Sequence, residues 1–250
     1  MKKVLFVCCL FLTITGRTQI KSGETLTYAA SYNMAGLMTQ IAEVKLGTGT
    51  VKTPKNNYLH LTCQAVTFSK WDSFFRIRDL YESYVNPVTL KPTMYKRDIS
   101  EGGYAKKEKY TFTNDGRTIN STVKKQQRPE RKKTLAVGPA TQDVLSILYK
   151  LRTVNFGAQK PGQTTAFTVI FDEKEIPVIV KYMGRESVTA GNLGKKDCYK
   201  VSISAKTDAL KGKDKNLIWL TADASKVPAL IKFSIPVGTG QLTLKTATGI

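Results

Sequence analysis

The chain has 250 residues, of which 41% are hydrophobic, and it carries a formal net charge of +20 at pH 7. This length suits one domain or at most two small ones, and the apolar content can build a real core. After the first 18 residues, no stretch is apolar for long enough to span a bilayer as a helix. The charge predicts attraction to polyanions such as lipopolysaccharide, anionic lipid, acidic glycan or nucleic acid.

The first 18 residues have the features of a signal peptide. Two lysines precede an apolar run from Val4 to Leu12, which is too short for a membrane anchor, and Gly16 and Thr18 place small residues before a cleavage site at Gln19. Because Cys8 and Cys9 lie inside the apolar run, we do not expect lipidation. The predicted mature protein is exported to the periplasm or secreted, and soluble. Loss of Lys2, Lys3 and Arg17 leaves it with a net charge of 20 − 3 = +17.

Residues 19–250 alternate between polar and apolar positions through most of their length, which predicts β-strands. In residues 57–67, for example, Leu59, Leu61 and Cys63 fall on one face. The dipeptide Asp115-Gly116 predicts a tight turn, and a second hairpin is predicted at Gly184. The recurrence of turn signals favours a single β-barrel-like domain, built as an antiparallel curled sheet or a closed barrel.

Two segments depart from this alternation. Residues 140–152 have Val144, Leu145, Leu148 and Leu151 on one helical stripe, so we predict one helix of about three turns there. Thr141 is its predicted N-cap, and Asp143, Lys150 and Arg152 oppose the helix dipole at its two ends. Residues 124–133, KKQQRPERKK, predict an exposed loop because they combine high charge with a proline.

No constellation of residues points to catalysis, a metal or a cofactor. His60 is the only histidine, and the chain has no G-x-S-x-G nucleophile elbow, no C-x-x-C pair and no phosphate-binding or dinucleotide fingerprint. We therefore expect a protein that is not an enzyme. After the signal peptide, Cys63 and Cys198 remain, and they fit one long-range disulfide as well as two buried free thiols.

The stretch KRDISEGGY, from Lys96 to Tyr104, fits either an anion-binding glycine loop or a plain hairpin. The hairpin is favoured, because Gly102 and Gly103 suit a tight turn and no helix start follows them.

The wider region FFRIRDLYESYVNPVTLKPTMYKRDISEGGY resembles the bacterial family of exported proteins called domain of unknown function 3108. The family pattern is a D-x-Y-E-S-like strand, a proline-containing turn and an R-[DE]-x-x-E-G-G-Y-like strand. Here these are the stretches Asp79–Ser83 and Arg97–Tyr104. The segments GETLTYAASYNMAGLM, TQDVLSILYKLR and IWLTADASKVPALIKFSIPVGTGQLTL are also similar to the family, so the resemblance covers essentially the whole mature chain.

The resemblance implies a periplasmic antiparallel β protein curled around one helix, while the family's function is unknown. At the level of fold, this is similar to lipoprotein carriers of the LolA and LolB kind, whose half-barrel holds acyl chains, but fold alone does not fix function. We expect a non-catalytic module that binds or carries an amphiphile, namely a lipid, a lipoprotein or a glycolipid. The alternatives are a structural or adaptor protein that binds a protein or acidic polymer by its surface, and a polymer hydrolase.

Two sets of residues are candidates for these contacts. The candidate ligand-binding residues are Asp79, Tyr81, Ser83, Arg97, Tyr104, Leu148 and Trp219. The candidate polyanion contacts, which could also reach an anionic membrane surface, are Lys124, Lys125, Arg128, Arg131, Lys132 and Lys133. Specific nucleic-acid recognition is not expected, because this basic segment has no interleaved aromatic residues.

Overall fold

The computed structural model describes residues 20–34, 36–205, 216–235 and 238–250. Within them the chain forms fourteen strands and one α-helix. The strands are β1 Thr25–Met34, β2 Leu37–Lys52, β3 Asn57–Thr67, β4 Arg78–Val85, β5 Pro92–Glu101, β6 Tyr104–Thr113, β7 Thr118–Lys125, β8 Arg131–Ala136, β9 Thr164–Phe171, β10 Lys174–Thr189, β11 Lys195–Ala205, β12 Asn216–Thr221, β13 Pro228–Ile235 and β14 Gly238–Thr248. The helix α1 is Ser146–Leu151, and single 3-10 turns occupy 69–71, 114–116, 156–158 and 191–193.

All fourteen strands belong to one antiparallel sheet in the order β8-β7-β6-β5-β4-β3-β2-β1-β14-β13-β12-β11-β10-β9. The mainly β fold predicted from the alternating pattern is therefore confirmed. The sheet curls but does not close, because its edge strands β8 and β9 form no ladder with each other. Only the side of β9 that faces away from β10 is partly paired, through a single parallel bridge between Val169 and Gln142.

The concave face of the sheet is filled with side chains. The main core joins β1, β2, β3 and β14 to the helix through residues such as Leu26, Tyr28, Leu61 and Tyr149. A second cluster packs Leu151 and the Phe156 turn on β10–β12, and a third lies between β5, β6, β7 and β9. The largest fully buried side chains are Arg152, Tyr28, Tyr95, Tyr110, Tyr149 and Phe156.

The predicted turns are partly confirmed. Gly102 and Gly103 form the tip of the β5–β6 hairpin, with Glu101 paired to Tyr104, and Asp115-Gly116 lies in the β6–β7 turn. The hairpin predicted at Gly184 is wrong. β10 continues through this residue and pairs with β11 on both sides of it, while Gly184 adopts a φ of 111° in a bulge that takes up one extra residue.

The helix lies inside the predicted range but is shorter, since it has six residues. Thr141 does not cap it. Instead Asp143 Oδ1 accepts the N–H groups of Leu145 and Ser146 at 2.9 and 2.7 Å, while residues 139–143 run beside β9. No helix in the described part of the chain is long enough to cross a membrane.

The basic segment 124–133 is also not a simple loop. Its ends belong to β7 and to the edge strand β8, and only residues 126–130 connect them. The first four residues of β8 are exposed, and Leu135 is the one residue of this strand that reaches the core. Its positive charges fit the common use of lysine on edge strands to prevent unwanted pairing.

Candidate functional site: a cleft at the seam of the sheet

The gap between the two edge strands is bridged by the connection from β8 to α1, and we call this region the seam. Gln142 donates its backbone N–H to the Thr168 carbonyl and accepts the N–H of Ile170, both at 2.9 Å. Glu175 on β10 holds the same connection, since its Oε1 accepts the Gly138 N–H at 2.8 Å and the Thr141 hydroxyl. These bonds fix residues 138–142 along β9.

A cleft of about 460 Å³ opens beside this connection, and we call it the seam cleft. Its volume lies within the range of roughly 300–1,000 Å³ that is usual for small-molecule sites. It is lined by Thr89, Lys91, Pro139, Ala140, Gln142, Lys150, Ala166, Phe167, Thr168, Pro177 and Ile179. Most of these side chains are apolar, and the polar groups are concentrated in the two lysines, the glutamine and the threonines.

Two features of the seam cleft distinguish it from an ordinary surface depression. Gln142 is buried, yet its side-chain Oε1 has no hydrogen-bond partner in the described structure, which is costly unless a ligand or water donates to it. Lys150 Nζ donates only to the Thr89 carbonyl, at 2.9 Å, and no described carboxylate pairs with it. The cleft therefore offers one cation above apolar walls, while the unpaired Oε1 of Gln142 is buried behind its surface.

The second lysine is already partly used. Lys91 Nζ lies 2.7 Å from Asp115 Oδ1 and also donates to the Asp115 carbonyl. The hydrogen bond from Lys91 and the positive charge of its ammonium group lower the pKa of Asp115, so this carboxyl group stays ionised. Lys91 is consequently the weaker of the two anion sites.

The candidate residues of β4 lie together on the concave face. Asp79 and Ser83 are buried, and Tyr81 is half-buried between them. Burial raises the pKa of Asp79 to about 7, and hydrogen bonding to Glu101 adds to the rise, while the Ser100 N–H, 3.0 Å from Oδ1, opposes it. Burial also raises the pKa of the Tyr81 hydroxyl.

These β4 residues have structural partners. Ser83 donates to Asp143 Oδ2 at 2.6 Å, so it supports the carboxylate that caps α1. The carboxyl group of Asp79 interacts with that of Glu101, which contributes to its raised pKa.

Arg97 belongs to a buried ionic cluster at the tip of the β9–β10 hairpin. Its guanidinium lies 3.0 Å from Glu108 and also pairs with Asp172, and it stacks 4.8 Å from the Phe171 ring centroid. Lys106 contacts the same two carboxylates, at 3.0 and 2.5 Å. This cluster joins the second half of the sheet to β5 and β6 through side chains where no strand ladder exists.

The other three candidate residues lie apart from one another. Tyr104 is exposed at the beginning of β6, and Leu148 packs between two core clusters. Trp219 is buried, with the ammonium groups of Lys200 and Lys232 at 5.2 and 5.5 Å from its ring centroid. The structure therefore does not assemble the seven candidates into one site, and their role in binding stays a prediction.

All six candidate polyanion contacts are exposed on the β7–β8 hairpin: Lys124, Lys125, Arg128, Arg131, Lys132 and Lys133. Arg131 is paired with Glu173 of the β9–β10 hairpin tip, and Lys132 lies 3.6 Å from Glu130.

The two cysteines are free thiols in the structure, with Cys198 buried and Cys63 partly buried. Burial raises the pKa of Cys63 to about 12 and that of Cys198 to about 11, which makes both thiols unreactive at neutral pH. His60 stacks on Tyr84 and hydrogen-bonds to Glu82 at 3.0 Å, and no described serine or cysteine bonds to it.

The cleft residues Gln142, Lys150, Ala166, Phe167 and Ile179 were not singled out from the sequence. They carry no motif, and they come together only because β9 is an edge strand that faces the connection into α1. No local signal could have shown this.

Comparison with solved structures supports the fold. A crystal structure of a β-barrel-like protein of the domain of unknown function DUF1849, from Brucella abortus, matches with a TM-score of 0.58 at 9% identity, over 90% of this chain and 97% of that chain. A "putative lipoprotein" from Parabacteroides distasonis matches with a TM-score of 0.36 at 10% identity, over 91% and 96% of the two chains. A "putative exported protein" with a YmcC-like fold, from Bacteroides fragilis, matches with a TM-score of 0.34 at 9% identity over 91% and 96%.

Only the first of these structures is similar enough to support an argument, and at 9% identity it supports the fold alone. No curated protein matches the sequence. The family model for proteins of unknown function called DUF3108 matches residues 27–245, in agreement with the resemblance seen in the sequence. The chain therefore belongs to the DUF3108 family.

Proposed function

We propose that this protein is an exported binding protein that holds a single-chain anionic amphiphile, such as a fatty acid or a lysophospholipid, in the seam cleft. Export is inferred from the features of residues 1–18, which lie outside the described residues. The proposal involves binding without a chemical step.

The observation that carries the proposal is the composition of the cleft. Apolar walls from β9 and β10, with Phe167, Pro177 and Ile179, suit an alkyl chain. At the same site Lys150 can pair with an anionic headgroup. Lys150 lies on α1 with its ammonium group held by the Thr89 carbonyl, and Gln142 is held along β9 by its backbone hydrogen bonds, so the walls of the cleft are in place before a ligand binds.

The sequence favoured an amphiphile inside the curled sheet, and the packing argues against that location. The concave face is filled by buried tyrosines, Phe156 and the buried Arg152. An acyl chain placed there would have to displace packed side chains, whereas the seam cleft is open to solvent. We therefore retain the amphiphile and move its site to the seam.

The experiment is a binding titration with residues 19–250, which contain every described strand. The ligand is a fluorescent fatty acid, and the affinity is compared among the native chain, Ala166→Trp and Lys150→Gln. Ala166 is exposed on the edge strand β9, so tryptophan can fill the cleft without disturbing the core. We expect the affinity of Ala166→Trp for the fatty acid to be at least about tenfold lower, because the indole occupies the cleft and the alkyl chain loses its contact with the apolar walls.

Lys150→Gln tests the headgroup contact. We expect it to weaken binding of a fatty acid by about fivefold to tenfold and to leave binding of the corresponding fatty alcohol unchanged. Lys55→Gln, an exposed lysine in the β2–β3 connection, is the matched control. Binding that is absent in the native chain, or equal in all four proteins, would refute the proposal.

A further inference from the structure

One end of the curled sheet is formed by four successive connections, and we call it the hairpin rim. Its described residues are 34, 36–38, 68–77, 101–105 and 124–131, which lie where β1 is followed by β2, β3 by β4, β5 by β6 and β7 by β8. They lie at the same end because successive antiparallel strands run in opposite directions. The seam cleft includes the β4–β5 connection and is therefore toward the opposite end.

The four connections form one continuous surface. Trp71 Nε1 donates to the Gln40 carbonyl at 3.0 Å, which ties the second connection to the first hairpin. Gly102 N–H donates to the Arg76 carbonyl at 2.9 Å, and Gln126 N–H donates to the Ala105 carbonyl at 2.8 Å. The second, third and fourth connections are thus hydrogen-bonded in series, and the second is also bonded to β2.

The rim carries most of the exposed large apolar side chains of the described chain. Six of the eleven such residues belong to it: Leu37, Met38, Phe68, Phe74, Phe75 and Tyr104. Phe74 and Leu37 are 75% and 73% exposed. Apolar side chains this exposed on adjacent loop tips are unusual on a soluble surface and mark an interaction site.

The same rim carries an excess of positive charge, with six lysines and arginines against the three carboxylates of Asp72, Glu101 and Glu130. Lys70, Lys124, Lys125 and Arg128 are exposed, and none of them forms a salt bridge with another described residue. Between the third and fourth connections lies a depression of about 580 Å³ lined by Gly103, Ala105, Gln126, Gln127 and Arg128, which offers polar groups and one cation to a phosphate.

Two of these lysines lie opposite other lysines. Lys124 lies directly opposite Lys107 in the β6–β7 ladder, and Lys125 lies opposite Lys106. Lys107 and Lys106 have carboxylate partners of their own within the sheet, which offset the repulsion between like charges. Lys124 and Lys125 pair with no described carboxylate and are available to an anionic partner.

We propose that the hairpin rim docks on the surface of an anionic lipid membrane. The aromatic and aliphatic tips enter the boundary between headgroups and acyl chains, and the lysines and Arg128 contact the phosphates. A soluble polyanion would use the charges and leave the apolar tips in water. The combination of both on one rim therefore favours a membrane.

The test is flotation of residues 19–250 with vesicles of equal parts phosphatidylglycerol and phosphatidylethanolamine, compared with phosphatidylcholine vesicles. We expect binding to the anionic vesicles only, with weaker binding as the salt concentration rises. The double variant Leu37→Ser/Phe74→Ser is expected to bind at least tenfold more weakly. Its control is Val88→Ser, which removes a side chain that is 85% exposed at the opposite end of the sheet.

The charge variant is Lys124→Gln/Lys125→Gln, with Lys52→Gln/Lys55→Gln at the opposite end as its control. Replacement of Lys124 and Lys125 is expected to weaken binding to the anionic vesicles by about fivefold for each lysine. Because these lysines oppose other lysines, the variant is expected to fold at least as stably as the native chain.

The inference is independent of the seam cleft, and Ala166→Trp is expected to leave vesicle binding unchanged. Three results would overturn it: no binding to anionic vesicles, binding that Leu37→Ser/Phe74→Ser does not weaken, or binding that disappears in Ala166→Trp. The second result would indicate a polyanion site that uses charge alone, and the third would indicate lipid uptake by the cleft.

Discussion

At the scale of single residues, the raised pKa of Asp79 gives the stability of the fold a pH dependence. Its pKa of about 7 is far above the value of about 3.9 expected in the unfolded chain. The folded state therefore favours the protonated carboxyl. The stability that this proton contributes is fully present below about pH 4 and is lost as the pH rises through about 7.

Asp79→Asn should abolish this dependence, because the amide keeps an acceptor for the Ser100 N–H and a donor for Glu101. We expect the unfolding temperature of the variant, relative to the native chain, to rise by several degrees between pH 5 and pH 8. In free energy of unfolding, the difference between the variant and the native chain changes by at most about 1.4 kcal/mol for each pH unit. Thermal unfolding followed by circular dichroism at the two pH values measures it.

Asp98→Asn is the matched control, since it removes an exposed carboxylate from the neighbouring strand β5. Asp98→Asn should change the unfolding temperature by the same amount at pH 5 and at pH 8. If Asp79→Asn also shifted the unfolding temperature equally at pH 5 and pH 8, the raised pKa of Asp79 would be refuted.

At the scale of elements, the short helix α1 is anchored by Arg152, the residue at its C-terminal cap. Arg152 directly follows α1, and its guanidinium donates to both carboxylate oxygens of buried Glu24 at 2.7 and 2.6 Å. It also donates to the Ser225 carbonyl in the connection between β12 and β13. The sequence predicted only that this charge opposes the helix dipole, whereas the structure shows a buried anchor between three segments.

Arg152→Met should therefore lower the free energy of unfolding by about 3–5 kcal/mol, because it leaves Glu24 charged and buried without a partner. The double variant Glu24→Leu/Arg152→Met should recover much of this loss, since both charges are then absent. Denaturant titration followed by Trp219 and Trp71 fluorescence gives the values.

Lys150→Met, in the last turn of the same helix, is the control and should change the unfolding free energy by only about 0.5 kcal/mol. A double variant as unstable as Arg152→Met alone would show that the loss comes from packing of the arginine stem and not from the unpaired carboxylate.

The elements also show what the sequence could predict. Strands, the turns at Gly102 and Asp115 and the position of the helix were predictable, because they follow from local alternation, glycine conformation and a helical stripe. The continuation of β10 through Gly184 was not, because a bulge and a turn use the same glycine. The length of α1 was overestimated because Gln142 bonds to β9 instead of entering the helix.

The contacts of the candidate site were harder to predict, because they join residues from different elements. Asp79, Tyr81 and Ser83 lie on one face of β4, as the alternation of side chains along a strand requires. Their partners Glu101 and Asp143 come from other elements and could not be inferred from spacing. The strand pattern likewise gave no sign that β8 and β9 would be the edges of the sheet, which is what creates the seam cleft.

At the scale of the whole molecule, the fourteen-stranded sheet has two halves that share one ladder, between β1 and β14. On the other side no strand ladder joins the described halves, which meet through the Gln142 bridge, the polar contacts of the β9–β10 hairpin tip and the third core cluster. A sheet built this way has a packed interior and an open seam, so ligand binding is expected at the seam.

The measurement that tests this account most directly is photolabelling of residues 19–250 with a single-chain fatty acid that carries a diazirine in its alkyl chain, followed by peptide mapping. The account predicts adducts on 139–142, 166–168 and 177–179, which line the seam cleft. Adducts concentrated on core residues of the concave face, such as Tyr28, Leu61 or Leu244, would place the ligand inside the sheet and contradict the account.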